Sequence, residues 1–274
     1  MERKNIIIIT GASSGMGKEF VKQVDVRFPK VDELWLIARR KDALLELAAS
    51  CNHKCRVLPF DLSQKSSWTE MEQLLKTEQP DISLLVNSAG YGILGPFFKE
   101  ESKSTVNLSE MTVGYNNEAL EDQVGMIALN CEALTAITYL CIPYMKKSGR
   151  IIQLASSAAF LPQPKFAVYA ATKSYVLSFS RALNEELRQK RIFVTAVCPG
   201  PVDTEFFERA EKGSDTLFIK KLVMARPEQV VEKALRDSCQ KKGISVYGTL
   251  MNLFYFASKI LPHKWMLRVM RIMK

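Results

Sequence analysis

Short apolar runs alternate with amphipathic stretches along most of this 274-residue chain. The first run is four consecutive isoleucines at residues 6–9, and such a β-branched run beside glycine is typical of a parallel strand buried on both faces. Phe20, Val21 and Val24 follow at helical spacing. Further strands are predicted at 34–40, 57–60, 82–86, 151–155 and 192–197, and helices at 41–49, 70–77, 121–145 and 168–190. The alternation predicts an α/β fold with a parallel sheet in a single domain.

The turn after the first strand reads Thr10-Gly11-Ala12-Ser13-Ser14-Gly15-Met16-Gly17. Glycines let a backbone approach a pyrophosphate closely, and the N-terminus of the next helix offers free N–H groups and a positive dipole end. The glycine spacing differs from the common G-x-G-x-x-G form, and a tight strand-to-helix turn is the alternative. The segment predicts a dinucleotide-binding loop.

Tyr169 and Lys173 stand four residues apart in a predicted helix, so both side chains lie on one helix face. A free tyrosine titrates near ~10, and a cation held beside it lowers its pKa towards the working range of a general acid or base. An exposed surface pair is the alternative. The motifs that precede the pair favour the catalytic interpretation.

Shorter motifs lie between and after these two: Asp61-Leu62, Asn87-Ser88-Ala89-Gly90, Asn130, Ser156, and Pro199-Gly200 followed by Thr204. Taken in chain order, the motifs resemble those of the short-chain dehydrogenase/reductase family in its single-domain form. The resemblance covers residues 4–247 and implies a Rossmann-like, doubly wound parallel sheet in three layers with a nicotinamide cofactor. It implies these cofactor-binding residues: Gly11, Ser13, Ser14, Gly15, Met16, Gly17, Arg39, Arg40, Asp61, Leu62, Asn87, Ala89, Gly90, Tyr169, Lys173, Pro199, Gly200, Val202 and Thr204.

The resemblance also implies four catalytic residues. Tyr169 would be the acid or base, and Lys173 would lower its pKa and bind the nicotinamide ribose. Ser156 would orient the substrate carbonyl; it stands thirteen residues before Tyr169, and Ser157, at twelve, is the less favoured candidate. Asn130 would hold a water in a proton relay with Lys173, with a helix-interior asparagine as the alternative.

The implied reaction moves a hydride between nicotinamide and a carbonyl or secondary alcohol. Charge that develops on the carbonyl oxygen needs a hydrogen-bond donor and a proton, which Ser156 and Tyr169 would supply. Two positions depart from the family pattern: Ser88 replaces a second asparagine, and Ala155 replaces a serine that commonly precedes the catalytic one.

The end of the second strand predicts the cofactor. An acidic residue there would bind the ribose 2′-hydroxyl of NAD, but the chain has Ala38, Arg39 and Arg40. A guanidinium can pair with a 2′-phosphate, so Arg39 favours NADP; a solvated cationic loop is the alternative. Asp61 resembles the residue that binds the adenine amino group, although it could equally cap a helix.

Composition constrains location and partners. Polar residues 2–5 and a short apolar run do not make a secretory signal, so we expect a cytoplasmic protein. The six cysteines form no C-x-x-C pair, and Cys51, His53 and Cys55 lack an evident fourth ligand, so no metal is expected. The net charge of +9 is scattered and is weak evidence for a nucleic-acid partner.

Two segments bear on the substrate. Residues 97–117 form a polar insertion, either a partner or substrate rim or a surface excursion. Residues 205–226 are largely apolar and suit a lid over a hydrophobic ketone or alcohol, with steroid-like, fatty-chain and small carbonyl compounds all open.

The tail at 248–274 is basic and apolar, with no acidic residue, and extends the catalytic domain at 1–247. Pro262 and the cations argue against a membrane-spanning helix. Packing over the substrate site or another subunit is favoured over peripheral membrane contact, and a homo-oligomer is expected. A non-catalytic nucleotide-binding regulator and a membrane-surface binding protein are the other functional classes; the complete catalytic set disfavours a regulator.

Overall fold

The computed structural model describes residues 3–97, 117–205, 224–262, 264–266 and 268. In chain order its strands and longer helices are β1 (Asn5–Thr10), α1 (Gly15–Arg27), β2 (Glu33–Ile37), α2 (Lys41–Ala49), β3 (Lys54–Leu58), α3 (Lys65–Glu78), β4 (Asp81–Asn87), α4 (Asn117–Ile127), α5 (Leu134–Cys141), β5 (Met145–Leu154), α6 (Ala167–Glu186), β6 (Phe193–Val197), α7 (Pro227–Cys239), β7 (Ile244–Ser245) and α8 (Thr249–Ile260). A π-helical turn, Ala128–Ala133, joins α4 to α5.

The strands form one parallel sheet in the order β3-β2-β1-β4-β5-β6-β7. The chain begins in the middle, at β1, builds outwards to β3, and then crosses over to β4 and builds to β7. Ligands bind such sheets where the strand order reverses, outside the carboxyl ends of the strands. The predicted α/β, Rossmann-like, doubly wound parallel sheet is confirmed.

The isoleucine run explains how the sheet is covered on both faces. Its four side chains are fully buried and alternate in direction, because successive strand residues point to opposite faces. Ile7 and Ile9 belong to the apolar cluster that contains Phe20 of α1, whereas Ile6 and Ile8 belong to the cluster that contains Met71 of α3. Helices therefore cover both faces, which makes three layers.

Several element boundaries differ from the predicted ones. The helix predicted at 121–145 is interrupted by the π-turn and ends in a short 3₁₀ turn, Ile142–Tyr144, that contains Pro143. Strand β5 begins at Met145, earlier than predicted, and β3 ends at Leu58 rather than residue 60. The predicted insertion at 97–117 and the lid at 205–226 lie mostly in 98–116 and 206–223, outside the described residues.

One helix in the described part of the chain, Leu120–Tyr144, is long and apolar enough to cross a membrane by length and composition alone. It comprises most of α4, the π-turn, α5 and the 3₁₀ turn. It packs on β4, α3 and α6, and Met126, Ala133 and Ile137 are almost completely buried. We therefore assign it to the core of the domain, with one face left exposed.

Candidate active site

The glycine loop is packed too tightly for side chains at two of its glycines. A Cβ added to Gly17 would lie 2.1 Å from the Gly11 carbonyl oxygen, and one added to Gly11 would lie 2.8 Å from the Ala89 amide nitrogen. Gly11 and Gly15 also have φ values of +66° and +48°, where a side chain is strained. The loop is thus a bare backbone surface between the carboxyl ends of β1 and β4.

Helix α1 begins in this loop, with Ser14 as its N-cap and no acidic residue in its first turn. Its first amides and the positive end of its dipole meet the space above the loop. Thr204 covers the loop from the other side, because its Cβ would lie 3.4 Å from a Cβ on Gly15. The glycine loop, the first turn of α1 and Thr204 together form a cradle, and this cradle fits a pyrophosphate.

Thr10 joins the two strand ends that flank this cradle. Its hydroxyl oxygen accepts hydrogen bonds of 3.1 Å from the Ser88 and Ala89 amides. The sequence motif included Thr10 without assigning it a role. The structure shows that it fixes the loop after β4 beside the glycine loop.

Arg40 is the arginine that contacts the glycine loop. Its guanidinium donates to the Ser13 carbonyl at 3.1 Å and to the Ser13 hydroxyl at 3.4 Å, and it lies 3.4 Å from a carboxylate oxygen of Glu205. Arg39, which the sequence favoured, is exposed and faces Tyr91: burial raises the pKa of Tyr91, and the Arg39 guanidinium opposes that rise. Both arginines therefore flank the cleft, with Arg40 in contact with the glycine loop.

Helix α6 brings Tyr169 and Lys173 together, as their spacing predicted. Both are about 94 % buried, since 6 % of each is exposed, and Lys173 Nζ lies 5.6 Å from the centre of the Tyr169 ring. The Lys173 ammonium donates a 2.7 Å hydrogen bond to the Leu154 carbonyl at the end of β5. Phe166 stacks on Tyr169 with ring centres 4.2 Å apart. The phenol is held rigidly.

Ser156 is the serine that hydrogen-bonds with Tyr169. The Ser156 side chain hydrogen-bonds with the Tyr169 phenol and also accepts a 3.1 Å bond from the Ala158 amide. The amide of Ser157 donates to the Pro199 carbonyl at 2.8 Å, which places the implied Pro199-Gly200 segment beside the site. The preference for Ser156, made from spacing, agrees with this geometry.

The pKa of Tyr169 differs from the prediction. Burial raises it to about 12, and the hydrogen bond with Ser156 only partly opposes that rise. The expected lowering of this pKa by Lys173 does not offset the effect of burial. Burial lowers the pKa of Lys173 to about 8, although Cys131 and Cys198 oppose the shift. Tyr169 is therefore a protonated acid at neutral pH.

Asn130 lies in the π-turn and joins three segments of the site. Its side-chain oxygen accepts from the Tyr91 amide at 3.1 Å, and its amide donates to the Tyr91 carbonyl at 2.9 Å and to the Thr172 hydroxyl at 3.1 Å. A Cβ on Gly90 would lie 2.7 Å from the Asn130 oxygen and 3.5 Å from Lys173 Nζ. The side chain thus joins the loop after β4 to α6 beside Lys173.

Three predicted cofactor contacts point into the protein instead. The Asn87 side chain is buried and donates to Thr138 Oγ1 at 2.9 Å and to Gln153 Oε1 at 3.0 Å. Leu62 and Val202 are buried in apolar clusters. These side chains are buried beneath the cleft, so only the backbone atoms of these residues could contact a ligand.

Other predicted residues lie around the cleft with partners of their own. The Asp61 carboxylate accepts from the Ser63 amide at 3.1 Å and hydroxyl at 2.7 Å, in a turn before α3 rather than as its N-cap. Met16 packs against the core. Gly200 faces α8, because a Cβ there would lie 2.8 Å from Met251 Sδ.

Three residues that shape the site were not predicted. A Cβ on Gly92 would lie 2.6 Å from the Tyr169 ring, so only glycine leaves room for the phenol there. The Thr172 hydroxyl accepts from Asn130 and donates to the Tyr169 carbonyl at 2.7 Å. Phe166 stacks on Tyr169. The alternating glycines of Gly90-Tyr91-Gly92 are a sequence signal that could have identified Gly92.

A metal site is not evident in the described part of the chain, where no three His, Cys, Asp or Glu side chains are grouped to bind one. His53, part of the cysteine-flanked segment, pairs with Asp25 at 2.8 Å. Asp25 also accepts from the Asn52 and His53 amides. The Cys51–Cys55 segment is thus held by hydrogen bonds to Asp25, which accounts for its histidine without a metal ion.

Comparison with known proteins identifies the class. Residues 5–215 match the short chain dehydrogenase family model. An uncharacterized oxidoreductase of Staphylococcus epidermidis is 30% identical over 77% of this chain and 84% of its own, and an NADP-dependent 3-hydroxy acid dehydrogenase of Schizosaccharomyces pombe is 29% identical over 89% and 91%. A closed form of serine dehydrogenase complexed with NADP+ superposes with a TM-score of 0.71 at 25% identity, over 88% of this chain and 94% of that one. The chain belongs to the short-chain dehydrogenase/reductase family of oxidoreductases.

Proposed function

We propose that this protein is an NADP(H)-dependent oxidoreductase that transfers a hydride between the nicotinamide and a carbonyl or secondary alcohol of a hydrophobic substrate. The observation that carries the proposal is the buried Tyr169 phenol, hydrogen-bonded to Ser156 beside Lys173, at the carboxyl edge of the sheet. When bound, NADPH supplies the hydride. The glycine cradle, the α1 N-terminus and Arg40 are the groups that would hold it.

Ser156 and Tyr169 would stabilise the negative charge that develops on the carbonyl oxygen, and Tyr169 would supply the proton to it. As a carbonyl accepts hydride, its oxygen becomes negative, and the Ser156 and Tyr169 hydroxyls can donate to it. Because burial raises its pKa, Tyr169 is protonated at neutral pH, which is the form that can donate to the developing oxyanion. Lys173 reaches Leu154 behind the phenol and is placed to contact a ribose at the same edge.

NADP selectivity is supported by the hydrogen bond from the Arg40 guanidinium to the Ser13 carbonyl in the glycine loop. It is also supported by the neutral Ala38, which stands where an acidic residue would bind the ribose of NAD, and by the NADP-dependent relative of Schizosaccharomyces pombe. We expect Arg40→Ala to weaken NADPH binding by about 1–3 kcal/mol and NADH binding much less, because one charge-assisted contact to the 2′-phosphate is lost. Arg39→Ala tests the second guanidinium, and Arg188→Ala, at an exposed site in the turn after α6, is the matched control. Equal loss for both cofactors in Arg40→Ala would refute the role.

A hydrophobic substrate is supported by the walls around the phenol. Tyr169 belongs to an apolar cluster with Met126 and Ala158, and Ile93 and Phe166 pack against it. Cofactor absorbance measured across chain-length series of ketones and aldehydes tests this proposal. We expect kcat/KM to rise with apolar size, whereas a preference for charged, compact carbonyl acids would contradict it.

A homo-oligomer is supported by the exposed face of Leu120–Tyr144. Leu120, Val124 and Ile127 recur at helical spacing and are 55, 54 and 44 % exposed, and Tyr139 on the same helix is 77 % exposed. Tyr175 of the adjacent α6 extends the face. An apolar face of this kind on a folded domain fits a second copy of the chain.

A cytoplasmic location is supported by the thiols. All six cysteines are free, and burial raises the pKa of Cys55, Cys131 and Cys198, which keeps these thiols protonated. Expression with a fluorescent fusion, compared with a separately imaged cytoplasmic marker, checks the location.

A further inference from the structure

Helix α8 has apolar side chains on two opposite faces. Its inner face packs against the domain: the Phe254 and Tyr255 rings lie 6.0 and 4.9 Å from the Phe160 ring, and Met251 lies against Gly200. Phe160 and Gly200 belong to the segments after β5 and β6, which border the active site. This face accounts for how the helix is attached.

The opposite face of α8 has no cover in the described part of the chain. Leu250, Leu253, Phe256 and Ile260 are 54, 65, 60 and 79 % exposed, and they recur every three or four residues along one side of the helix. We call these four residues the α8 outer face. A helix that is apolar on both sides is normally buried on both sides, so we expect the α8 outer face to bind a partner or a membrane.

The residues after α8 extend this surface and add charge. Leu261 and Trp265 are 45 and 65 % exposed, while Lys264 and Arg268 are exposed beside them. Residues 248–274 contain five lysines and arginines and no aspartate or glutamate. The surface thus combines apolar side chains, an exposed tryptophan and one sign of charge.

That charge discriminates between two occupants. In a twofold dimer the same patch meets itself, so contact through the α8 outer face would bring two cationic segments together. Like charges held close in an interface cost free energy, whereas an anionic lipid surface attracts each nearby cation by about 1 kcal/mol. Tryptophan is also favoured at the level of lipid headgroups.

We propose that the α8 outer face docks in the interface of an anionic lipid membrane, with the helix lying along the surface and Lys259, Lys264 and Arg268 at the headgroups. The domain would then be held on its α8 side, with the cleft close to the lipid because the inner face of the same helix borders it. This proposal concerns attachment and does not depend on the catalytic assignment.

Flotation of the full-length chain with lipid vesicles tests the proposal. The vesicles are phosphatidylcholine alone or phosphatidylcholine mixed with phosphatidylglycerol, at low and high salt. The test variant is Leu253→Ser with Ile260→Ser, and its matched control is Val26→Ser with Leu45→Ser, which removes exposed apolar side chains from α1 and α2. Lys259→Glu with Lys264→Glu tests the charge.

We expect salt-sensitive flotation with the anionic vesicles, about tenfold or more weaker for Leu253→Ser with Ile260→Ser and unchanged for its control. The charge variant should lose its preference for anionic vesicles. All three pairs change exposed side chains, so the Tm of each should stay near that of the wild type. No flotation of the wild type, or equal flotation of the outer-face variant, would overturn the proposal. So would a smaller molecular mass of that variant by light scattering, which would indicate self-association through α8.

Discussion

Lys173 is a buried ammonium whose charge opposes folding. Its pKa is about 8 in the folded protein and 10.5 ordinarily, so between these values the unfolded state binds more protons and stability rises with pH. Compared with Lys173→Met, the wild type should gain up to about 3 kcal/mol of unfolding free energy across that window. Chemical denaturation of both proteins from pH 7 to 10.5 measures the difference.

Lys65→Met, at an exposed position of α3, is the control for this measurement and should keep the wild-type slope. If wild type and Lys173→Met show parallel pH dependence, the burial of the ammonium does not govern its protonation. Comparison with Lys173→Met also cancels the effect of Tyr169, whose raised pKa lowers stability only above about pH 10.

At the same residue scale, the sequence predicted which side chains lie together but not how they are arranged. Helical spacing predicted that Tyr169 and Lys173 share a helix face, whereas Ser156 was proposed from the family resemblance; the structure places all three together. The pKa of Tyr169 was predicted with the wrong direction, because burial is a tertiary feature that no local spacing contains. The same holds for Asn87, whose buried partners come from α5 and β5.

At the scale of elements, the glycine loop is the part least tolerant of change. Gly17→Ala places a Cβ 2.1 Å from the Gly11 carbonyl oxygen, so the start of α1 and the loop must move apart. Overpacking of this kind costs about 1–3 kcal/mol, and we expect the Kd for NADPH to rise about tenfold or more together with a lower Tm. Titration monitored by cofactor fluorescence and a thermal melt measure both.

Gly243→Ala is the matched control, because its Cβ would have an ordinary contact of 3.7 Å with Asn184 Nδ2. Its affinity for NADPH should equal that of the wild type. Unchanged NADPH binding in Gly17→Ala would show that the loop is not the phosphate cradle.

Strands and helices could be predicted from the sequence where burial of apolar side chains determines the structure. The isoleucine run and the glycine turn specify β1 and α1, because a fully buried parallel strand needs apolar residues on both faces. The π-turn at Ala128–Ala133 was not predictable: its sequence suits an ordinary helix, and the bonds of Asn130 to Tyr91 and Thr172 that accompany it come from distant segments.

At the scale of the whole molecule, the exposed face of Leu120–Tyr144 predicts association. Val124→Lys places a charge in the middle of that face and should convert the proposed oligomer to monomers, because an unpaired charge in an apolar interface is costly. Size-exclusion chromatography with light scattering measures the mass. Val26→Lys, on the 73 % exposed position of α1, is the control and should keep the mass of the wild type. A monomeric wild type would contradict the proposal.

Deuterium transfer, measured together with the rate of Tyr169→Phe, tests the central claim most directly, namely that this chain reduces a carbonyl with a hydride from NADPH and a proton from Tyr169. Wild type and Tyr169→Phe are given NADPH deuterated at the transferring position and a ketone found in the substrate panel, and the alcohol is analysed by mass spectrometry. We predict deuterium on the former carbonyl carbon with the wild type, and a rate lower by about 10²- to 10⁴-fold with Tyr169→Phe at unchanged NADPH affinity. Unlabelled alcohol from the wild type, or an undiminished rate with Tyr169→Phe, would contradict it.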